Sequence, residues 1–174
     1  MSVIADPREL FLAELADVYY TEKALENELP KLAEEASDGE LARGFEQHHR
    51  QTKGHIKNLE QVFQALGESV KAEPCPGIEG LKEEHDKFMS EHKPSAEIRD
   101  MFLTGAAARA EHYEIAAYTG LATMATALGE REASKLLREN LREEKETLKK
   151  VETIARRLSK AEGNGRTRSH RRAG

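Results

Sequence analysis

The chain has 174 residues and a mass of 19.5 kDa, enough for one domain of ordinary size and too little for two well-cored ones. Charged residues make up 34 % and aromatics 5 %, with no Trp and 5 Pro, a composition that favours long helices over sheets. No apolar run approaches the ~20 residues of a membrane span, and Asp6, Glu9 and Glu14 stand where a signal peptide would be basic and then apolar. The single Cys75 can form neither an internal disulfide nor a Cys-based zinc or iron–sulfur site. The cytoplasm is the expected compartment, without membrane attachment. The net charge is −5, yet residues 163–174 hold Arg166, Arg168, Arg171 and Arg172 and no acid. An acidic body at 1–162 and a disordered basic tail at 163–174 are therefore expected.

Asp6-Pro7 followed by Glu9 supplies an N-cap, a proline in the first turn and a capping acid, and predicts a first helix running to about Ala36. Pro30 falls in its last turns, where it should bend the helix without ending it. Ser37 with Glu40 reads as a second capping box and Gly67 as the residue after a helix end, giving a second helix over about 38–66. A short turn between the two makes them antiparallel neighbours.

Pro74, Pro76, Gly77, Gly80 and Pro94 punctuate residues 67–94, of which only 78–92 reads as a short helix. Pro94-Ser95 with Glu97 opens a third long helix that reaches Leu128, and Gly129 separates it from a fourth over about 131–160. Helices of roughly 30 residues are ~45 Å long. The long link can traverse that length, so the second and third long helices can run parallel. The expected fold is all-α, a ferritin-like four-helix bundle with one long crossover that contains a short helix.

A core seam advances by alternating steps of three and four residues. In the first helix it runs through Phe11, Leu15, Val18, Glu22, Leu25, Leu29, Leu32 and Ala36. The second gives Leu41, Phe45, His48, Thr52, His55, Leu59, Val62 and Leu66. The third runs through Thr104, Ala107, Glu111, Glu114, Tyr118, Leu121, Ala125 and Leu128. The fourth gives Leu137, Leu141, Glu144, Leu148, Val151, Ala155 and Leu158.

Each seam carries acids or histidines only in its middle. Glu22, His48, Thr52, His55, Glu111, Glu114 and Glu144 should therefore meet in one layer whichever way each helix points. Four buried carboxylates are prohibitively costly unless protonated, paired or bound to metal, and no Lys or Arg lies on these seams. A pair of divalent metals held by oxygen and imidazole ligands answers the charge. The bland alternatives are specific: a lone inward Glu usually sits at a rim or in an ion pair, and His48 and His55 could be core histidines bonded to a neighbouring helix. His112 lies beside the acid seam, and Tyr118 stands one turn from Glu114, within reach of a carboxylate.

Several stretches resemble the YciE/YciF family of bacterial ferritin-like stress proteins. They include Leu15-Ala16-Asp17, Glu22-Lys23 and Leu29-Pro30-Lys31-Leu32-Ala33; Gln51-Thr52 with His55; Glu79-Gly80-Leu81; Glu111-His112-Tyr113-Glu114-Ile115-Ala116-Ala117-Tyr118; and Glu143-Glu144-Lys145. The resemblance covers residues 8–158 and implies a ferritin-like bundle, usually dimeric, with a di-metal centre and a link to stress responses. Its members tend to carry Glu where this chain has Gln51, whose amide oxygen can ligate but adds no charge. The resulting candidate ligands are Glu22, His48, Gln51, His55, Glu111, Glu114 and Glu144.

On this reading the cofactors are two divalent ions, iron first with manganese or zinc as alternatives. The function is stress defence through Fe(II)/peroxide redox chemistry or metal handling, with oxygen or peroxide as the small partner. The competing function is a non-enzymatic stress-induced structural bundle whose metal only cross-links helices. A homodimer is expected. The Arg-rich tail offers nucleic acid no more than weak, salt-sensitive contact.

Overall fold

A computed structural model describes residues 4–172, with side chains through residue 161. Five helices and no strand occur among them: α1 Pro7–Glu35, α2 Gly39–Ala65, α3 Pro76–His92, α4 Ala96–Ala127 and α5 Arg131–Arg172. The third and fourth long helices of the sequence reading are α4 and α5. The trace of α5 runs past the boundary expected after residue 162. The side chains from 162 onward, those of the expected basic tail included, lie outside the described residues. Among the described residues no helix is long and apolar enough to cross a membrane.

Local chemistry accounts for most of the helix ends. Asp6 caps α1, its carboxylate accepting the Arg8 N–H, with Pro7 in the first turn, and Pro30 is absorbed inside a helix that continues to Glu35. Gly67 and Gly129 both adopt positive φ, at 72° and 79°, where glycine avoids the Cβ clash of the left-handed region. One cap differs from expectation: Asp38, not Ser37, caps α2 by accepting the N–H groups of Glu40 and Leu41. Ser37 instead lies in the turn, where its backbone N–H and that of Asp38 both donate to the buried Asp100 carboxylate at 2.8 Å. The expected short helix begins two residues early, because the Cys75 side chain caps it by accepting the Ile78 N–H.

The four long helices pack with α1 against α2 and α4, and α5 against α2 and α4, while α3 lies on α4. Two apolar clusters occupy the interior. The first joins Phe11, Leu15 and Val18 of α1 with Leu59 and Phe63 of α2, Leu121 and Ala125 of α4, and Leu137 of α5. The second joins Leu25 and Leu29 of α1 with Leu41 and Phe45 of α2, Leu103 and Ala107 of α4, and Val151 and Ile154 of α5. Hence α1 and α5 run from the first cluster to the second, and α2 and α4 run back.

The connection after α2 is pinned as it leaves. Arg8 of α1 pairs with Glu68 at 2.7 Å and donates to the Leu66 carbonyl, and the Glu73 N–H reaches the Ala16 carbonyl. Between the two clusters each long helix contributes polar residues: Glu22, then His48, Thr52 and His55, then Glu111 and Glu114, then Glu144, all buried.

Candidate metal centre

The polar layer is built by periodicity. Glu22 follows Val18 and precedes Leu25 on the buried stripe of α1, Glu111 and Glu114 fall between Ala107 and Tyr118 on α4, and Glu144 falls between Leu137 and Val151 on α5. On α5 Leu137, Leu141, Glu144 and Val151 of the expected seam are buried, and a second line through Ala133, Leu137, Asn140, Glu144, Thr147, Val151 and Ile154 is buried with them. Both lines obey three-and-four spacing and share Leu137, Glu144 and Val151. The helix is rotated toward the small polar pair Asn140 and Thr147, so that Leu148, Ala155 and Leu158 are half-buried while Leu141 stays in the first apolar cluster.

The donor atoms fall into two groups, each within a sphere a metal ion could serve: His48, Glu111, Glu114 and Glu144 in one, Glu22, His55 and Glu144 in the other. Glu144 belongs to both. Its Oε1 lies 2.9 Å from His55 Nδ1, while its Oε2 lies 3.9 Å from His48 Nε2. His48 Nε2 is 3.2 Å from Glu111 Oε1, and His55 Nδ1 is 3.2 Å from Glu22 Oε1.

Close as they are, these contacts leave many donor and acceptor atoms of the layer unmatched. Glu22 Oε2, Glu111 Oε2, both oxygens of Glu114 and of Glu144, and the Nδ1 atoms of His48 and His55 are buried without a hydrogen-bond partner. Thr52 Oγ1, fully buried in the same layer, also has none. Buried polar atoms are almost always satisfied, and each orphan costs roughly 1–3 kcal/mol. So many together, converging on two points, fit cations better than any arrangement of the side chains themselves. Oxygen and imidazole donors without a thiolate suit iron, manganese or zinc.

Around the donors lies a supporting layer. Tyr118, fully buried, donates its hydroxyl to Glu22 Oε1 and accepts from Asn140 Nδ2 at 3.1 Å. Asn140 also reaches the His55 carbonyl at 3.3 Å and is held by Asn58 at 2.7 Å. Glu143 Oε2 lies 3.2 Å from His55 Nε2. It fixes the ring so that Nδ1 faces Glu22 and Glu144, the usual role of an outer carboxylate behind a ligating histidine.

Electrostatics follow from burial. It pushes Glu111 and Glu114 well above the ordinary carboxylate range, with the Glu144 charge adding to the effect. Glu22 is raised for the same reason, although His55 and Tyr118 favour its ionised form. Burial holds the Tyr118 hydroxyl protonated and lowers His48 toward the neutral imidazole. His55 is the exception: burial opposes its charge, but Glu22 and Glu144 outweigh it and push the imidazole up to about 11. For Glu144 burial is likewise outweighed, with the charged His55 beside it, and the carboxyl is lowered. Of the two imidazoles only His55 keeps its charge. Without metal the layer is therefore a store of protons that a cation can replace.

Six of the seven candidate residues, Glu22, His48, His55, Glu111, Glu114 and Glu144, come together in these two groups. Gln51 stands at the edge: it is half-buried, its Oε1 accepts from Thr147 Oγ1 at 3.5 Å, and with His48 and Glu111 it lines a cavity of about 20 Å3. Tyr118 does bond a carboxylate, that of Glu22 on α1 and not that of Glu114 on its own helix. His112 is exposed and takes no part. Sequence reasoning missed Glu143, Asn140 and Asn58 as supports. The signal for Asn140 was its place one turn before Glu144, on a line as regular as the one chosen.

Residues 6–163 match the family described as Domain of unknown function (DUF892). The chain belongs to this family. Within it, the chain is 40 % identical over 148 residues to Protein YciF of Escherichia coli strain K12, spanning 84 % of this chain and 89 % of that protein, which makes it a relative of YciF as the Glu111–Tyr118 block implied. The crystal structure of the E. coli stress protein YciF matches with a TM-score of 0.85 at 37 % identity, covering 90 % of this chain and 99 % of that one. YcfI of Rhodopseudomonas palustris matches with a TM-score of 0.84 at 35 % identity, covering 86 % and 95 %.

Proposed function

We propose that the His/Glu layer is a di-metal centre in a ferritin-like bundle with one long crossover, and that the protein acts in stress defence through Fe(II)/peroxide redox chemistry or metal handling. Iron is the expected metal, with manganese or zinc as alternatives, and the cytoplasm the expected compartment. The observation that carries the reading is Glu144, which turns one oxygen toward each of two donor groups. The parallel course of α2 and α4 supports the crossover, since the 66–75 connection and α3 must return the chain to the second cluster before α4 begins.

The residues divide the work. Glu22, Glu111 and Glu114 release their protons as cations enter and join the already ionised Glu144, so that burial, which disfavours bare carboxylates, favours the loaded state. His48 is already neutral through burial and offers a lone pair at once. Glu143 and Tyr118 orient His55 and Glu22 from behind. The metals would supply electron exchange with a small oxidant. Relatedness to YciF, described as a stress protein, supports the physiological setting, and a homodimer is the proposed assembly.

Elemental analysis of protein purified without added metal tests the centre: about two equivalents of iron, manganese or zinc per chain are expected, and none above background refutes it. Reaction of the loaded protein with peroxide then separates redox function from a purely structural metal.

A further inference from the structure

A pocket of about 70 Å3 lies beneath α3, and its inner wall includes His48 and Glu111 of the polar layer. Leu29, Phe45, Ile78 and Ala107 give it a hydrocarbon lining. Lys82 and His85 of α3 also line it, with Glu28 of α1, and their charged atoms are paired: Lys82 Nζ is 3.7 Å from Glu28 Oε1, and His85 Nε2 is 2.9 Å from Glu35 Oε2. These pairs tie α3 to α1.

Size and lining together select an occupant. Apolar cavities of about 150 Å3 stay dry and take benzene or xenon. A space half that volume excludes a ring and admits a diatomic molecule. Water needs two to four polar partners, and peroxide brings donors and acceptors with the same need, which the hydrocarbon part of the lining does not meet and only the His48 and Glu111 end could. A second cavity that shares His48 and Glu111 is smaller, about 20 Å3, with Gln51 and Thr147 beside Leu41, Val151 and Ile154 in its lining, room for about one water. We infer that the pocket beneath α3 is a dioxygen-binding antechamber that opens on the His48 and Glu111 side of the polar layer. Its use rests on the di-metal reading, but its occupancy does not.

Crystals of the protein as purified, pressurised with xenon, should show a xenon atom in contact with Leu29, Ile78 and Ala107. Dioxygen itself is read by methyl NMR. Under oxygen the Leu29 and Ile78 methyls should relax several-fold faster, relative to argon, than those of Leu59 and Leu121 in the far cluster. Ala110→Leu, which fills the wall, should abolish both signals, and Ala106→Leu serves if that variant does not fold. Ordered water in the pocket, absence of xenon, or equal oxygen effects at near and far methyls overturns the inference while leaving the metal count untouched. Xenon in the pocket of a protein that elemental analysis finds metal-free overturns its role as an antechamber.

Discussion

Glu144 is the residue whose loss should be felt on both sides of the polar layer. Its two oxygens face His55 and His48, so Glu144→Gln removes charge from both donor groups, whereas Glu22→Gln touches only one. The expected outcome is a fall from about two metals per chain to fewer than one for Glu144→Gln, and to about one for Glu22→Gln, measured by elemental analysis after identical purification. Gln51 sets a second test. Gln51→Glu places a further carboxylate beside His48, in a poorly solvated region where charge is weakly screened. Divalent affinity, read by competition with a chelator, should tighten about tenfold, the equivalent of roughly 1.4 kcal/mol. An unchanged affinity would confine Gln51 to packing against Thr147. The inward acids were legible because a charge on an apolar three-and-four line is anomalous wherever it occurs. Glu143 was not, because beside Glu144 on the helix surface it looks like any solvated acid until His55 of another helix is seen against it.

At the scale of elements, the α1–α2 turn is held from outside itself. The Asp100 carboxylate, 4 % exposed on α4, accepts two backbone N–H groups from the turn, and Arg157 of α5 pairs with Asp38. Bonds to a buried charge are the stronger kind. Asp100→Ala should therefore lower stability by about 2–4 kcal/mol, measured by chemical denaturation, with metal content unchanged because the turn lies beyond the second apolar cluster. Helix existence and order were readable from caps, prolines and glycines. The choice of Asp38 over Ser37 as cap was not, since both are good capping residues and it is Asp100, 62 positions away from Asp38, that claims the backbone of the turn. Cys75 as the cap of α3 was hidden for a similar reason. A thiol becomes a helix cap only when burial and the Tyr113 hydroxyl at 2.9 Å hold it there.

For the whole molecule, stability should respond to pH in opposite senses with and without metal. Glu22, Glu111 and Glu114 have folded-state pKa values raised above the ordinary 4.5, so the native state holds protons that the unfolded chain releases, and stability falls as pH rises above that value. His55, raised to about 11 from 6.5, adds stability that is complete below 6.5 and lost as pH rises toward 11. The lowered Glu144 and His48 oppose this, each contributing stability that is lost as pH falls, and three raised carboxyls with His55 outweigh them. Chelated protein should thus melt at a higher temperature at pH 5.5 than at pH 8. Metal-loaded protein should melt higher at pH 8, because binding displaces the same protons. Differential scanning calorimetry of both forms across that range checks the sign, and a parallel response in the two forms would contradict it.

Sequence alone determined what depends on neighbours along the chain. The period of apolar residues set four long amphipathic helices, capping and glycine chemistry set most of their ends, and the coincidence of polar residues at mid-helix set one charged layer between two apolar ones. Those features follow from backbone hydrogen bonding and solvent exclusion, which act over three or four residues. Tertiary structure alone decided the rotation of α5, which brings Asn140 and Thr147 into the interior and leaves Leu148 half-buried. It also decided the sharing of Glu144 between two donor groups, the backing of His55 by Glu143 and of Glu22 by Tyr118, and the pocket that α3 closes above His48. Each of these is a contact between helices distant in sequence. Several helix rotations satisfy the same periodicity, and only the packing of neighbouring surfaces selects among them.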